Sequence, residues 1–404
     1  MTAQPSKRTL NDAREENIYT LIVDGNSLLY SSMADPKINS DGIHIGGVFQ
    51  FLLQLKIMMR KKDFDYVYVT FDNEYSGQMR YEIYHPYKAN RDKHYEDNSG
   101  LSDYGRALDE KLKAMSNAIF GARKNKKFKS EQEVERVKTS EDFIDENFAR
   151  ERDILMNCFN ELYIRWFFDD IVEGDDIIAY YVLHKKDNEK VVIVSSDEDL
   201  SQLISEDVCI YNQRLKKFIT DKNFKEIHGF DYHNVALKKI FCGDKSDNIG
   251  NISGLSENKL MEIMPEIRDR EVTIDEVKNR VEFLSEERVK NKKKNLQVYE
   301  NIINGVSKKQ YDGDFFEINE KIINLKKPLV TESLKQEMEE TMYAPMSIED
   351  RTNANLYSIL LQSKIEPLLD SNVFSSFFLD FKSLENKERK RYADFMKNQQ
   401  EQKK

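Results

Sequence analysis

Tyr19-Thr20-Leu21-Ile22-Val23-Asp24-Gly25-Asn26 is an apolar run that stops on an acid and a turn pair. A short, β-branched run bounded in this way reads as a buried strand followed by a turn. The pattern recurs: Tyr66 to Phe71, rich in Val and Tyr, ends at Asp72, and Val191 to Val194 runs into Ser195-Ser196-Asp197. Val208 to Tyr211 reads as a short fourth strand. Helical spacing lies between them, starting at Leu28 and recurring in Gly46 to Met59, Phe143 to Asn160 and Asp175 to His184. Strands alternating with helices predict βαβ units and a mainly parallel sheet, so the fold class is α/β. Open sheets of this class bind ligands at the carboxyl ends of their strands, and Asp24, Asp72 and Asp197 all fall there.

Further acids accompany these three. Glu173-Gly174-Asp175-Asp176 opens an apolar helix, with Glu173 and Asp176 on one face. Asp199 follows Asp197, and Asp244 and Asp247 lie in Gly243-Asp244-Lys245-Ser246-Asp247-Asn248-Ile249, between two helical stretches. Taken singly, such acids cap helices or complement their dipoles. Taken together with acids at three strand ends, they pose an electrostatic problem. The pairs Asp175/Asp176 and Asp197/Asp199 tolerate burial only if protonated or neutralised by cations. Oxygen-rich donor sets suit Mg²⁺ or Mn²⁺.

The 404 residues suffice for two or three domains, and 39% hydrophobic with 33% charged residues describes a polar globular chain. No stretch approaches the roughly 20 apolar residues of a membrane span, so no membrane association is expected. Met1 to Asn17 is a polar extension without the apolar core of a secretory signal. Cys158, Cys209 and Cys242 lack zinc spacing and point to a reduced, cytoplasmic compartment. The net charge of −10 argues against a nucleic-acid partner only until its distribution is considered. Gly121 to Ser130, which includes Lys126 and Lys127, carries five basic residues and no acid, and Arg288 to Lys294 carries five in seven. Basic runs are ordinarily solvated segments; beside an acidic cluster they favour phosphate binding. None of the six histidines lies inside an acid motif, so no histidine base is expected. Residues 85–152 read as a long polar insertion. From Tyr232 the chain turns helical, with 286–304 expected as one long basic helix, 314–327 as an extended segment and 331–404 as mostly helical.

Met79-Arg80-Tyr81-Glu82-Ile83-Tyr84-His85-Pro86-Tyr87-Lys88-Ala89-Asn90-Arg91 resembles a segment of the 5′-nuclease superfamily, which includes flap endonucleases and the 5′-exonuclease domain of bacterial DNA polymerase I. The other acid motifs follow in the family's order, and length and style are most similar to phage 5′-exonucleases or RNase H. The resemblance implies a PIN-like, mainly parallel sheet flanked by helices over 18–227, with a helical arch over 85–152. A helix-three-turn-helix (H3TH) helical domain over 228–345 and a helical C-terminal extension over 346–404 complete the expected organisation. It further implies two divalent metals, Mg²⁺ with Mn²⁺ as a substitute. One would be held by Asp24, Asp72, Glu173 and Asp175, the other by Asp176, Asp197, Asp199 and Asp247 with Asp244 nearby. Lys88 and Arg91 would meet the scissile phosphate from the arch base, and Arg80 aligns with another basic position of the motif. Gly250, Gly254, Ser256 and Lys259 at the H3TH turn, with Lys126 and Lys127 in the arch, are the expected DNA contacts. The turn, Gly250-Asn251-Ile252-Ser253-Gly254-Leu255-Ser256, lacks the family's proline and has a serine at one glycine position, which leaves K⁺ binding there open. Gly174 stands where the family usually has alanine.

The implied activity is metal-dependent hydrolysis near the 5′ end of DNA flaps or RNA–DNA hybrids, in replication (primer removal) or repair. Implied partners are DNA and RNA–DNA hybrid, with a single-stranded-DNA-binding protein or a sliding clamp as further ones, and a monomer in the cytoplasm, the host's if the chain is of phage origin. Gln362 to Leu369 loosely resembles a clamp-binding motif without its paired aromatics, whereas the four phenylalanines of Phe374 to Phe381 read as a helix packed on the core. Two other readings use the same acids: a PIN-type ribonuclease on single-stranded RNA and a non-catalytic DNA-binding scaffold.

Overall fold

A computed structural model describes residues 17–73, 75–89, 147–349 and 351–402; Arg91, Lys126, Lys127 and most of the expected arch lie outside these. Among the described residues, six strands form one sheet in the order β3-β2-β1-β4-β5-β6. They are β1 (Ile18–Asp24), β2 (Tyr66–Thr70), β3 (Arg165–Phe167), β4 (Glu189–Val194), β5 (Val208–Asn212) and β6 (Lys217–Ile219). The first five are parallel, and β6 closes one edge antiparallel to β5. From β1 the strand order runs outward to β2 and β3 on one side and to β4 and β5 on the other. The crevice between β1 and β4 is therefore the point where such a sheet accepts a ligand. Register pairs Asp24 with Thr70 and Val23 with Val194, so Asp72 and Asp197 emerge just beyond the same level.

Both faces of the sheet are covered, which is why its strands are apolar throughout rather than alternating. Leu21, Val23, Val67 and Val69 point to one core, shared with α1 (Gly25–Ser32), α2 (Gly46–Lys61) and α4 (147–161). Ile22, Tyr66, Tyr68, Val191 and Ile193 point to the other. That second core receives α5 (Gly174–Leu183), α6 (Phe224–His228) and α7 (Val235–Cys242), then α8 (Glu257–Ile263), α9 (Ile274–Lys290), α10 (Gln297–Ile303), α11 (Phe315–Ile323) and α12 (Glu332–Thr341). The short helix α3 (Gln78–Ile83) follows β2. The last helices, α13 (Asn353–Gln362), α14 (Ser371–Leu379) and α15 (Lys382–Gln402), return to the first face. There Leu356, Leu360, Phe377, Phe381 and Leu384 join the core of α1 and α2.

The structure corrects several expectations. Residues 314–327 are not extended: Asp314 caps α11 through Glu317 N, 2.9 Å away, and Phe315, Phe316, Ile322 and Ile323 form its buried stripe. The basic 286–304 segment is two helices, broken where Lys292 adopts φ +53° and Arg288 Nε donates to Lys294 O at 3.1 Å. β3 and β6, three residues each, were too short to stand out by periodicity. The clamp-like Gln362–Leu369 segment buries Ile365 and Leu368 completely, so the apolar residues such a motif would offer are already spent on the core. The Phe374 to Phe381 helix packs as expected, with Phe377, Phe378 and Phe381 buried.

Candidate metal centre

Asp24 is the last residue of β1 and the N-cap of α1. Its Oδ1 accepts from Ser27 N at 2.9 Å and its Oδ2 from Ser195 Oγ at 2.7 Å, which ties the end of β1 to the end of β4. Asp72, just beyond β2, accepts from Gly174 N at 2.6 Å and from Asn26 Nδ2 at 3.1 Å. The first of these contacts accounts for Gly174: a β-carbon there would lie 3.1 Å from Asp72 Oδ1 and 3.3 Å from Thr70 Oγ1. Asp197 is exposed and accepts from Asp199 N at 2.8 Å, while its own N–H donates to Ser195 Oγ at 3.0 Å. Asp175, in the first turn of α5, completes the group.

The electrostatics are those of a site built for cations. Burial holds the Asp175 carboxyl well above the usual range, and the charges of Asp197, Asp24, Asp72 and Asp199 push it further. Burial lifts Asp24 to about 7 against the hydrogen bonds from Ser27 and Ser195, with Asp72 and Asp197 adding to the rise. Beside this group, Asp199, Asp244 and Asp247 can each offer an oxygen within 4.8 Å of the others. Burial also takes Asp199 to about 7 despite the nearby Lys239. Hard, anionic, all-oxygen donors fit a divalent ion such as Mg²⁺ or Mn²⁺. Asp24, Asp72, Asp175, Asp197 and Asp199 thus converge, with Asp244 and Asp247 at their edge.

Two acids stand apart from that convergence. Glu173 stands at the N-cap position of α5, and its carboxylate meets Arg80 Nη1 at 2.6 Å, Lys88 Nζ and Tyr87 Oη (2.9 Å). Burial would raise its carboxyl, but Arg80 and Lys88 outweigh that and bring it to about 2. Asp176 is fully buried, is paired with Arg80 and accepts from Leu329 N at 3.0 Å. The structure therefore places Asp176 on Arg80, the same guanidinium that Glu173 meets. Arg80 is buried and donates through Nε to Ile322 O at 2.8 Å, so its guanidinium is committed to Ile322, Glu173 and Asp176. Lys88, at φ +53°, reaches Glu173.

Sequence reasoning missed two contributors. Lys239 Nζ binds Asp244 Oδ2 at 2.6 Å and also Asp199, supplying a built-in cation within the second group. Burial would raise Asp244, yet Lys239 and Ser246 hold it at about 2. Lys239 stands one helical turn before Gly243, a spacing that could have marked it. Tyr87 links Glu173 to Asp247 (3.4 Å) and belongs to the Met79–Arg91 motif. Of the expected DNA contacts, Ser256 caps α8 and accepts from Lys259 N at 3.3 Å, Gly254 takes φ +79°, and Lys259 Nζ pairs with Glu262 at 2.9 Å.

The profile of the family described as "5′-3′ exonuclease, N-terminal resolvase-like domain" matches residues 19–124 and 106–229, together more than half of the chain. The chain belongs to the 5′-3′ exonuclease family. It is similar to a 5′-3′ exonuclease of Mycoplasmopsis pulmonis, with 31% identity over 108 residues, 26% of this chain and 36% of that protein. It is also similar to DNA polymerase I of Caldicellulosiruptor bescii, with 24% identity over 273 residues, 65% of this chain and 26% of that one. The chain thus spans between about a quarter and a third of the length of these relatives. Among solved structures it resembles a variant of the bacteriophage T5 flap endonuclease in a pseudo-enzyme–product complex with DNA and metal ions. That match has a TM-score of 0.51 and 16% identity, and it covers 91% of this chain and 98% of that one; the likeness is one of fold.

The raised acids make a pH prediction. Groups with raised folded pKa values stabilise the fold below their ordinary value and lose that contribution as pH rises through the folded value. For Asp24 and Asp199 the window runs from the ordinary 3.8 to about 7. Glu173 and Asp244, held at about 2, act oppositely and lose their contribution only below their ordinary range. In EDTA the melting temperature is therefore expected to fall between about pH 4 and pH 7, and saturating Mg²⁺ should flatten the slope. A melting temperature that climbs across that window in EDTA would contradict the electrostatic account.

Proposed function

We propose that the chain is a divalent-metal-dependent, structure-selective 5′-nuclease that hydrolyses phosphodiesters near the 5′ ends of DNA flaps or RNA–DNA duplexes during replication or repair. The observation that carries the reading is the convergence of Asp24, Asp72, Asp175, Asp197 and Asp199 on the β1/β4 crevice, with Lys88 bound to Glu173 and to the carbonyl of Asp247. Two Mg²⁺ ions, with Mn²⁺ as a substitute, would be held by these acids together with Asp244 and Asp247. Bound, they would polarise the scissile phosphate and make water a better nucleophile.

The chain's own groups do the rest. The carboxylates orient the site and are fixed by Ser27, Ser195, Asn26 and the Gly174 amide. Lys88 Nζ, released from Glu173, would neutralise charge that grows on a non-bridging phosphate oxygen. Arg80 and Tyr87 keep Glu173 ionised and aimed once Lys88 turns to substrate. Residues 228–345 are the proposed duplex-binding domain, with the Gly250–Ser256 turn as its grip.

The test is cleavage of end-labelled 5′-flap, nicked and RNA-primed duplexes, and of single-stranded RNA, with and without Mg²⁺. Metal-dependent cutting confined to single-stranded RNA would replace this reading with that of a PIN-type ribonuclease. Within it, Lys88→Ala is expected to lower single-turnover cleavage on the order of 100-fold while affinity for a flap stays within about twofold. Equal losses in rate and affinity would make Lys88 a binding residue only.

A further inference from the structure

The segment Ser307–Tyr311 crosses the back of the Gly250–Ser256 turn. Ile252 and Ser307 form an antiparallel bridge, and Ser253 N donates to Val306 O at 2.8 Å. Lys309 Nζ donates to Asn248 O at 2.8 Å and also to Asn248 Oδ1. Gly250 N donates to Tyr311 Oη at 2.9 Å, and that hydroxyl donates in turn to Asn319 Oδ1 at 2.9 Å. The fit is close: a β-carbon on Gly250 would come within 2.9 Å of Tyr311 Oη.

The same two residues lead to the Tyr84–Lys88 segment. The Tyr311 ring stacks on Tyr84, centroids 4.7 Å apart and planes 20° off parallel. Asn248, held by Lys309, donates through Nδ2 to Pro86 O at 2.7 Å. Next to it, Asp247 O accepts from Lys88 N at 2.9 Å. Asn248 sits at φ +59°, left-handed backbone that asparagine tolerates better than most residues. Two short paths thus join the turn to the main chain of Lys88, one through Lys309, Asn248 and Pro86, the other through Tyr311 and Tyr84. A contiguous polar and packed network of this kind can carry coupling between two sites when both bias it.

We propose that Lys309 and Tyr311 form a strap through which duplex engaged at the Gly250–Ser256 turn sets the position of Lys88. Preference for a duplex-bearing substrate over a single strand then runs through these two side chains. The proposal rests on the nuclease reading above, and both residues are positioning residues: neither lies among the acids.

The experiment uses the full chain with Lys309→Met and Tyr311→Phe combined. Single-turnover rates in Mg²⁺ are measured on a 5′-flap duplex and on a single strand of the flap's sequence. Affinity for the flap is measured by fluorescence anisotropy in Ca²⁺. The flap rate is expected to fall about 10- to 100-fold toward the single-strand rate. The single-strand rate and the flap affinity should stay within about twofold, and Lys309→Arg with Tyr311 intact should restore the preference. The proposal is overturned if both rates fall together, if the flap rate is unchanged, or if affinity falls by the same factor as the rate. Should the double variant melt at a much lower temperature, Lys309→Met and Tyr311→Phe are measured singly: each removes one link to the turn and should lower the flap rate alone by a smaller factor, and an unchanged flap rate in both overturns the strap. Wild-type cleavage without any preference for the flap also overturns the strap. Absence of wild-type cleavage on every substrate instead refutes the nuclease reading.

Discussion

Asp175→Asn is expected to leave on the order of a thousandth of the wild-type cleavage rate and, at the same time, to raise the melting temperature of the metal-free protein. Both effects have one origin. Asp175 lies where burial and the charges of Asp197, Asp24, Asp72 and Asp199 all oppose its ionisation. Asparagine keeps the shape and removes the ionisable charge, so the apo fold is relieved of that opposition. The same change takes an anionic donor from the centre of the proposed metal site. Wild type should gain about 2.7 kcal/mol at a metal concentration 100 times its dissociation constant, and the variant should gain far less. Melting curves in EDTA and in Mg²⁺, paired with single-turnover cleavage, read both halves. Cleavage within tenfold of wild type, or a lower melting temperature in EDTA, would remove Asp175 from the centre.

The second large effect is structural and lies far from the acids. Glu388 on α15 is wholly buried and binds Arg165 on β3, itself 7% exposed, as well as Arg391 at 2.8 Å. Arg165 also lies over the rings of Tyr66 and Tyr68, 5.2 and 5.8 Å from their centroids. Glu388→Ala strands that guanidinium in the core and is expected to cost about 3–5 kcal/mol, a fall in melting temperature on the order of 10 °C. The double variant Arg165→Met/Glu388→Met removes both charges and should recover most of the loss. Should the double variant melt no higher than Glu388→Ala alone, the stranded charge is not the cause. Deletion of 346–404 should be more severe, because it also uncovers Leu356, Leu360, Phe377 and Phe381 on the first face of the sheet.

The strands that carry the acids were legible because each is a continuous apolar run ended by an aspartate, and a sheet covered on both faces demands such runs. β3 and β6 were not, since three residues hold too little periodicity. The extended reading of 314–327 failed because Phe315, Phe316, Ile322 and Ile323 look β-prone in isolation and become helical only when capped by Asp314 and packed on α7. The acids themselves were legible as types and spacings, but their directions were not. Glu173 and Asp176 share a helical face, yet one carboxylate meets Arg80, Lys88 and Tyr87 while the other turns to Arg80 and Leu329. Lys239 was passed over because a lysine in an amphipathic helix reads as surface until the neighbouring turn folds its aspartates back onto it.

The contact of Arg80 with Ile322 and of Asp176 with Leu329 bears on the order in which the chain leaves the ribosome. All the acids have been synthesised by residue 247, but the carbonyl and the amide that complete the buried Arg80–Asp176 pair arrive only some eighty residues later. The α15 glutamate that neutralises Arg165 arrives later still. A nascent chain therefore carries its acids without these buried partners until residues 322, 329 and 388 have joined it.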